Sequence, residues 1–283
     1  MIEKQEEFTN EKIEVELFLE ALYRRHGYDF RKYSKVHIKR RIDGIKVRLG
    51  YDSISRMIHD IMWEPAFKQT VLHEFSINYT EMFRDPKFYN YLRNEVIDLL
   101  KTFPFIKIWH AGCSTGEEVY SLAIMLKECG LYDKTQIYAT DFNDKVLRKA
   151  EQGIYPLDYI KSYTQNYQQA GGLNSFSDYY VSDDHNVVLN SSLREKIVFA
   201  NHNLTSDGVF GEIHLILCRN VLIYFNKELQ DKVLNLFRES LCNGGIMCLG
   251  SKETLKFTGV EGCFNTLSED MKTYQLRYDR RCD

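Results

Sequence analysis

Ile106-Lys107-Ile108-Trp109-His110-Ala111-Gly112-Cys113-Ser114-Thr115-Gly116-Glu117-Glu118-Val119-Tyr120-Ser121 is the stretch whose reading decides the fold. The apolar run from Ile106 to Trp109 predicts a buried strand. A tight turn carrying Gly112 and Gly116 ends it, and an apolar helix beginning near Glu117 follows, with Val119, Leu122, Ala123 and Met125. Strand, glycine turn and helix in that order make the first half of a nucleotide-binding α/β unit. Its glycines admit a ligand close to the backbone, and its helix N-terminus presents free N–H groups. The spacing is Gly-x-x-x-Gly, not the Gly-x-Gly-x-x-Gly of a dinucleotide site, which argues against a dehydrogenase. Glu117 and Glu118 stand where a phosphate would have to sit, so a cationic or sugar-bearing ligand fits better than a polyphosphate.

Working outward in both directions, strands and helices alternate after residue 106, predicting an α/β fold with a parallel sheet. Gln136 to Thr140 is the second strand, with Asp141 at its carboxyl end, 25 residues beyond Gly116. An acid there accepts hydrogen bonds from ribose hydroxyls. A role for Asp141 as N-cap of the helix through Val146 and Leu147 fits the local sequence as well. Residues 151–194 interrupt the alternation and predict an inserted subdomain with a hairpin between Asp178 and Leu189, turning at Asp183–Asn186. Lys196–Ala200 and Ile213–Cys218 resume the sheet. The second of these ends in Arg219-Asn220-Val221-Leu222-Ile223-Tyr224-Phe225, polar groups at the edge where open α/β sheets place ligands. A helix over 227–241 follows, stopped by Asn243-Gly244-Gly245. Ile246–Leu249 and Met271–Tyr278 are expected as a closing antiparallel pair.

Upstream of residue 78 the pattern is helical throughout. Val15, Phe18, Leu19 and Leu22 share one helix face, and Ile38, Ile42, Ile45 and Leu49 share another behind an N-cap at Ser34 and ahead of a stop at Gly50. Two further helices fall near 53–63 and 66–76. These readings divide the chain into a helical domain over 1–77, a linker and lead-in helix over 78–103, and the α/β domain over 104–283. From Arg31 to Gly50 eight basic residues face one acid, a net +7 within a chain whose net charge is −3. Such a run is either a solvated face or a dock for an acidic partner. The overall charge excludes a globally basic nucleic-acid binder. No apolar run reaches the ~18 residues that span a bilayer, and the acidic N-terminus is unlike a signal peptide. The seven scattered cysteines contain no Cys-x-x-Cys pair and read as reduced, buried thiols in a cytoplasmic protein. Neither they nor the histidines show metal-ligand spacing, so no metal is expected.

Taken together, several of these segments resemble the CheR-type chemotaxis receptor methyltransferases, over nearly the whole chain. Asn78-x-Thr80-x-x-Phe83-Arg84-Asp85 is similar to that family's motif between its helical and catalytic domains. Ser114-Thr115-Gly116-Glu117-Glu118 with Tyr120-Ser121 looks like its glycine turn, and Ala139-Thr140-Asp141 like its ribose-binding strand end. The most specific match is Cys218-Arg219-Asn220-Val221 with Ile223-Tyr224-Phe225. The resemblance implies an S-adenosylmethionine-dependent methyltransferase fold (Rossmann-like) with a mixed sheet and a final antiparallel strand. It also implies methyl transfer to glutamate side chains of chemoreceptors, leaving S-adenosylhomocysteine. Asn78, Thr80 and Arg84 would then reach over the methionine end of the cofactor, beside Gly112 and Glu118. Asp141 would hold the ribose, Asn203 and Leu204 would line the adenine, and Arg219 and Asn220 would complete the pocket. Arg84 and Tyr224 would handle the substrate carboxylate.

The alternatives are an ion pair of Arg84 with Asp85 or Glu81, and plain packing for Tyr224. Lys39, Arg40, Arg41 and Arg48 would dock the receptor's glutamate-rich cytoplasmic helices. The insertion would correspond to a small β-subdomain that in some members binds a receptor tail peptide, but the turn Asp183-Asp184-His185-Asn186 lacks the glycine those members carry. His110 and Cys113 replace small residues of many relatives and read as packing substitutions. A monomer with no membrane insertion is expected. The competing readings are a non-catalytic scaffold of the same fold, and a methyltransferase for another protein or a small molecule.

Overall fold

The computed structural model describes residues 2–76 and 79–278, with side chains from residue 9 onward. The chain forms two compact units, Met1–Ile77 with Ile223–Lys232, and Asn78–Leu222 with Val233–Asp283.

Four helices build the first unit: α1 (Ile2–His26), α2 (Lys35–Leu49), α3 (Ile54–Trp63) and α4 (Pro65–Phe75). Each buries a stripe at helical spacing, and Phe18, Leu22, Ile42, Ile45, Met57 and Val71 are sealed from solvent. Phe75 closes the core edge-on against Phe30, with ring centroids 5.0 Å apart. Ser34 stands at the N-cap of α2, but its side chain makes no capping hydrogen bond. Gly50 ends that helix with φ of 72°. Leu49, expected in the buried stripe, is exposed because the stripe ends at Ile45. The late segment Ile223–Lys232 completes this unit. Phe225 bridges to Tyr33 as an isolated strand pair, and the Tyr224 carbonyl accepts the Ser34 N–H at 2.8 Å.

In the second unit a helical lead-in, α5 (Pro86–Tyr91) and α6 (Ile97–Lys101), is joined through one wide π turn at Leu92–Val96. Seven strands then form the main sheet: β1 (Ile106–Ala111), β2 (Thr135–Asp141), β6 (Ile197–Asn201), β7 (Ile213–Cys218), β8 (Leu241–Leu249), β9 (Phe264–Ser268) and β10 (Thr273–Leu276). Their order is β6-β2-β1-β7-β8-β10-β9. The first five run parallel, and β10 pairs antiparallel with β8 on one side and β9 on the other. The expected closing antiparallel pair is formed by β8 and β10, and β9, which was not expected, adds a further antiparallel strand beyond β10. Helices α7 (Glu117–Glu128), α8 (Asp144–Gln152) and α10 (Lys227–Ser240) connect the strands. The Asn243-Gly244-Gly245 stop lies inside β8, which begins directly after α10, so the helix ends earlier than its glycines predict.

The insertion holds a three-stranded sheet, β3 (Ile154–Pro156), β5 (Asn186–Leu189) and β4 (Tyr180–Ser182), and also helix α9 (Ile160–Gln169), which was not expected. Strand β1 is central to the main sheet, and its side chains alternate. Ile106 and Ile108 join the core cluster that α7 covers with Val119 and Leu122. Trp109 points the other way and donates its indole N–H to Thr140 Oγ1 at 2.8 Å. Cys113, Cys129, Cys218, Cys242 and Cys248 are free thiols. Cys263 is disulfide-bonded, an exception to the expectation of reduced cysteines.

Candidate functional site

At the carboxyl end of β1 the backbone folds into a cradle. Gly112 N–H and Cys113 N–H both donate to the Thr140 carbonyl, at 2.8 and 2.9 Å, which pins the turn to β2. Gly112 has φ of +75°, and a Cβ on it would fall 2.5 Å from Val221 Cγ2, so only glycine lets the turn and the 219–222 loop meet. Gly116 caps α7 with φ of 92°. Glu117 and Glu118 occupy the first turn of α7, where negative charge opposes the helix dipole favourably. Both are buried, unusual for carboxylates, and burial pushes Glu117 up to about 7. Thr115 donates its hydroxyl to Glu117 at 2.7 Å.

Glu118 is held differently. Arg219, at the end of β7, donates to Glu118 Oε1 through Nη1 and to Asp85 Oδ2 through Nη2 at 2.5 Å. The same Nη1 also reaches the Arg84 carbonyl at 3.2 Å, and the guanidinium lies 4.2 Å from the centre of the Phe88 ring. Burial raises the Glu118 pKa, while the neighbouring Arg219 acts against that rise and keeps an ion pair in a dry site. Arg219 thus fixes the 84–85 turn against α7. Both Phe83 and Asp85 hold positive φ there, 52° and 56°.

Another carboxylate, Asp141, ends β2. Its Oδ2 accepts the Ser114 N–H and its Oδ1 the Asn143 N–H, each at 3.0 Å. Burial pushes it up to about 6. The N-cap of α8 is Asn143, whose side chain accepts from Lys145 N–H, so the capping role considered for Asp141 falls to Asn143.

A further carboxylate, Glu253, carried no signal in the sequence. It is buried and collects three backbone donors: Asn220 N–H and Gly250 N–H at Oε2, at 3.0 and 2.5 Å, and Val221 N–H at Oε1, at 2.9 Å. This clamp holds Asn220 with φ of 62°. A lone glutamate beyond a strand has no spacing to betray it.

The remaining expected residues fall as follows. Arg84 is half-buried; its Nη1 donates to the Tyr79 carbonyl at 3.1 Å, and no carboxylate among the described residues pairs with it. The ion pairs considered for Arg84 are therefore not formed: Asp85 goes to Arg219 instead. Thr80 is half-buried, and Asn78 lies outside the described residues. Asn203 accepts from Thr205 N–H and Oγ1 through Oδ1, at 3.0 and 2.9 Å, while its own N–H goes to Asp207; Leu204 is buried. Tyr224 belongs to the first unit, its ring edge-on to His37 with centroids 5.4 Å apart. Of the basic residues on α2, Lys39 bonds Glu11 and Asp43, each at 2.9 Å, and Arg48 bonds Glu74, whereas Arg40 is exposed.

Several buried polar atoms in the second unit have no partner within the protein: Ser114 Oγ, Asn220 Oδ1 and both ring nitrogens of His110. Native interiors leave few such atoms unpaired; these four belong to the glycine turn, to the strand end before it and to the loop beside Arg219, where a polar ligand would meet them, while Arg93 Nε, His202 Nδ1 and the Tyr274 hydroxyl are unpaired on other elements. An acidic, sugar-compatible cradle with a glycine floor fits S-adenosylmethionine.

Comparison with known proteins agrees. Residues 78–272 match the family model described as CheR methyltransferase, SAM binding domain. A Pseudomonas putida methyltransferase named Cher3 is 46% identical over 266 residues, covering 94% of this chain and 97% of that one. The chemotaxis protein methyltransferase of Borreliella burgdorferi is 29% identical over 259 residues, covering 87% and 89%. Chemotaxis protein methyltransferase 2 of Pseudomonas aeruginosa is 28% identical over 263 residues, covering 88% and 89%.

Proposed function

The chain belongs to the CheR methyltransferase family and is an S-adenosylmethionine-dependent methyltransferase; from that premise we propose that it methylates glutamate side chains of chemoreceptors, giving methyl esters in sensory adaptation. The observation that carries the reading is Arg84. It stands on a turn fixed by Arg219, spends one donor on the Tyr79 carbonyl, and pairs with no carboxylate among the described residues. Its remaining donors suit an incoming carboxylate.

The cofactor supplies a methyl group on a sulfonium centre. A glutamate acceptor is already ionised at neutral pH, so no general base is needed. What the protein contributes is alignment and exclusion of water. In this reading Arg84 and Tyr224 orient the acceptor oxygen, held loosely enough that the transition state gains more than the ground state. Asn78, Thr80, Gly112 and Glu118 hold the methionine end of the cofactor. Asp141 takes the ribose, Asn203 and Leu204 the adenine, and Asn220 closes the pocket on a loop that Arg219 and Glu253 fix.

The helical unit supports docking of an acidic partner, with a refinement of the expected set. Lys39 and Arg48 already satisfy acids of their own unit, so Arg40 and Arg41 are the residues from which docking energy comes most directly. Among the described residues no helix is long and apolar enough to cross a membrane. A cytoplasmic monomer acting on the receptors' cytoplasmic helices completes the proposal.

The test is transfer of labelled methyl from S-adenosylmethionine to a receptor cytoplasmic fragment, with release of the label by mild alkali marking an ester. Arg84→Ala is expected to abolish transfer while leaving folding intact. Alkali-stable label would remove glutamate as the acceptor, and full turnover by the variant would remove Arg84 from the mechanism.

A further inference from the structure

His110 is the residue that neither the fold nor the proposed chemistry uses. It lies at the carboxyl end of β1, on the face covered by α7, flanked in register by Ala139 of β2 and Leu217 of β7. Only 2% of its surface is exposed, and neither ring nitrogen has a hydrogen-bond partner. An imidazole so placed leaves one N–H donor and one strong acceptor unmet in a dry site, a cost the fold bears only if something else satisfies them.

What faces the ring narrows the ligand. Glu118 Oε2 is 3.8 Å from His110 Nε2, too long for a direct bond, and Oε2 is the oxygen that Arg219 leaves free. Ala139 and Leu217 bring no charge to the ring, so the charged groups bearing on it are Glu118 and Arg219. Burial, and then the nearby Arg219 charge, push the imidazole down to about 3, so it is neutral and one of its nitrogens is an acceptor at every working pH. In the tautomer that carries its proton on Nδ1, the imidazole Nε2 and the carboxylate Oε2, 3.8 Å apart, make a pair of acceptors without a donor. The group that satisfies both is a small cation with several N–H bonds, an ammonium.

We infer that His110 is a cofactor-binding residue: with Glu118 Oε2 it accepts hydrogen bonds from the α-ammonium of the methionine portion of S-adenosylmethionine. This rests on the reading above that Glu118 faces the methionine end of the cofactor. It makes His110 a determinant of selectivity for amino-bearing ligands, in place of the packing role its position suggests.

The test separates the two readings. Calorimetric titration uses S-adenosylhomocysteine and its analogue with hydrogen in place of the α-amino group, on the wild type, His110→Ser and His110→Gln. The wild type is expected to prefer the amino-bearing ligand. His110→Ser should lose about tenfold in affinity for S-adenosylhomocysteine, the scale of one hydrogen bond to a charged group, and nothing for the analogue. His110→Gln places an amide oxygen near the Nε2 position and should restore most of the preference. Equal weakening of both ligands in His110→Ser would mark a structural role and overturn the inference. A preference fully kept by that variant would overturn it too, while leaving Glu118 at the methionine end. A wild type that binds both ligands alike would refute the placement of Glu118, and the inference with it.

Discussion

Replacing Glu253 by glutamine changes one oxygen to an NH2 and leaves the shape intact, so its effect isolates the clamp on the 219–222 loop. The glutamate accepts three backbone N–H groups, two at Oε2 and one at Oε1. In the better amide orientation, the glutamine oxygen keeps Asn220 and Gly250, and its NH2 meets the Val221 N–H donor to donor. One buried N–H is then unsatisfied, at ~1–3 kcal/mol, and two charge-assisted bonds become neutral, each weaker by ~0.5–1 kcal/mol. The expected local destabilisation is about 2–5 kcal/mol. Because Asn220 holds φ of 62° only under this clamp, the loop should open before the sheet does. Hydrogen exchange followed by mass spectrometry reads this directly. Peptides covering 219–222 and 250 should exchange roughly 30- to 5,000-fold faster in Glu253→Gln, with β1 and α7 unchanged, and S-adenosylhomocysteine should bind more weakly. Unchanged exchange at Asn220 and Val221 would show that the clamp does not hold the loop, whatever happened to overall stability.

Two pH effects follow from the other carboxylates. Asp141 titrates near 6 and must be ionised to accept from ribose hydroxyls, so S-adenosylhomocysteine affinity should fall about tenfold between pH 7 and pH 5. In Asp141→Asn the affinity should be low and flat across that range, and a wild-type profile flat to pH 5 would exclude the carboxylate from ribose binding. Glu117 has the opposite consequence, for stability. Its pKa rises on folding from 4.5 to about 7, so the folded state holds the proton more tightly. That contribution is full below about 4.5 and is lost as pH rises through 7, an interval equivalent to about 3 kcal/mol. Glu117→Gln should therefore match the wild type in urea unfolding near pH 4.5 and exceed it by up to that amount at pH 8; equal stability at pH 8 would refute the assignment.

The decisive stretch was legible because each of its physical demands leaves a residue behind. Burial on both faces of the sheet leaves Ile106, Ile108 and Trp109, and close approach to Val221 leaves Gly112. Strand β9 was not legible. Its residues after Phe264 are largely solvated, so no burial shaped Asn265, Thr266 or Leu267 into an alternating pattern. Helix α9 hid for a related reason, burying only Tyr163 and Tyr167 among polar neighbours. At the site, the acids of the glycine turn stand out in sequence because they sit at fixed offsets from Gly116. The partners that hold them in place come from distant chain. Arg219 meets Asp85 and Glu118, and Glu253 meets Asn220, through pairings that no local spacing encodes. Asp141 and Asn143 show the limit of local reading: two residues apart, both suited to capping, and only geometry assigns the cap.

The strand-like pairing of Phe225 with Tyr33 has a consequence for how this protein is made. The first unit interleaves with the second in sequence, since its last segment is translated only after four of the seven strands of the main sheet. During synthesis the four N-terminal helices wait with the Ser34 N–H and the Lys32 carbonyl lacking their hydrogen-bond partners until residues 224–226 arrive. Contacts of such long sequence separation form late and close a large loop. A fragment ending at residue 77 would lack these partners for the Ser34 N–H and the Lys32 carbonyl, so the helical unit matures only after residues 224–226 are made, though its four helices precede every strand of the sheet.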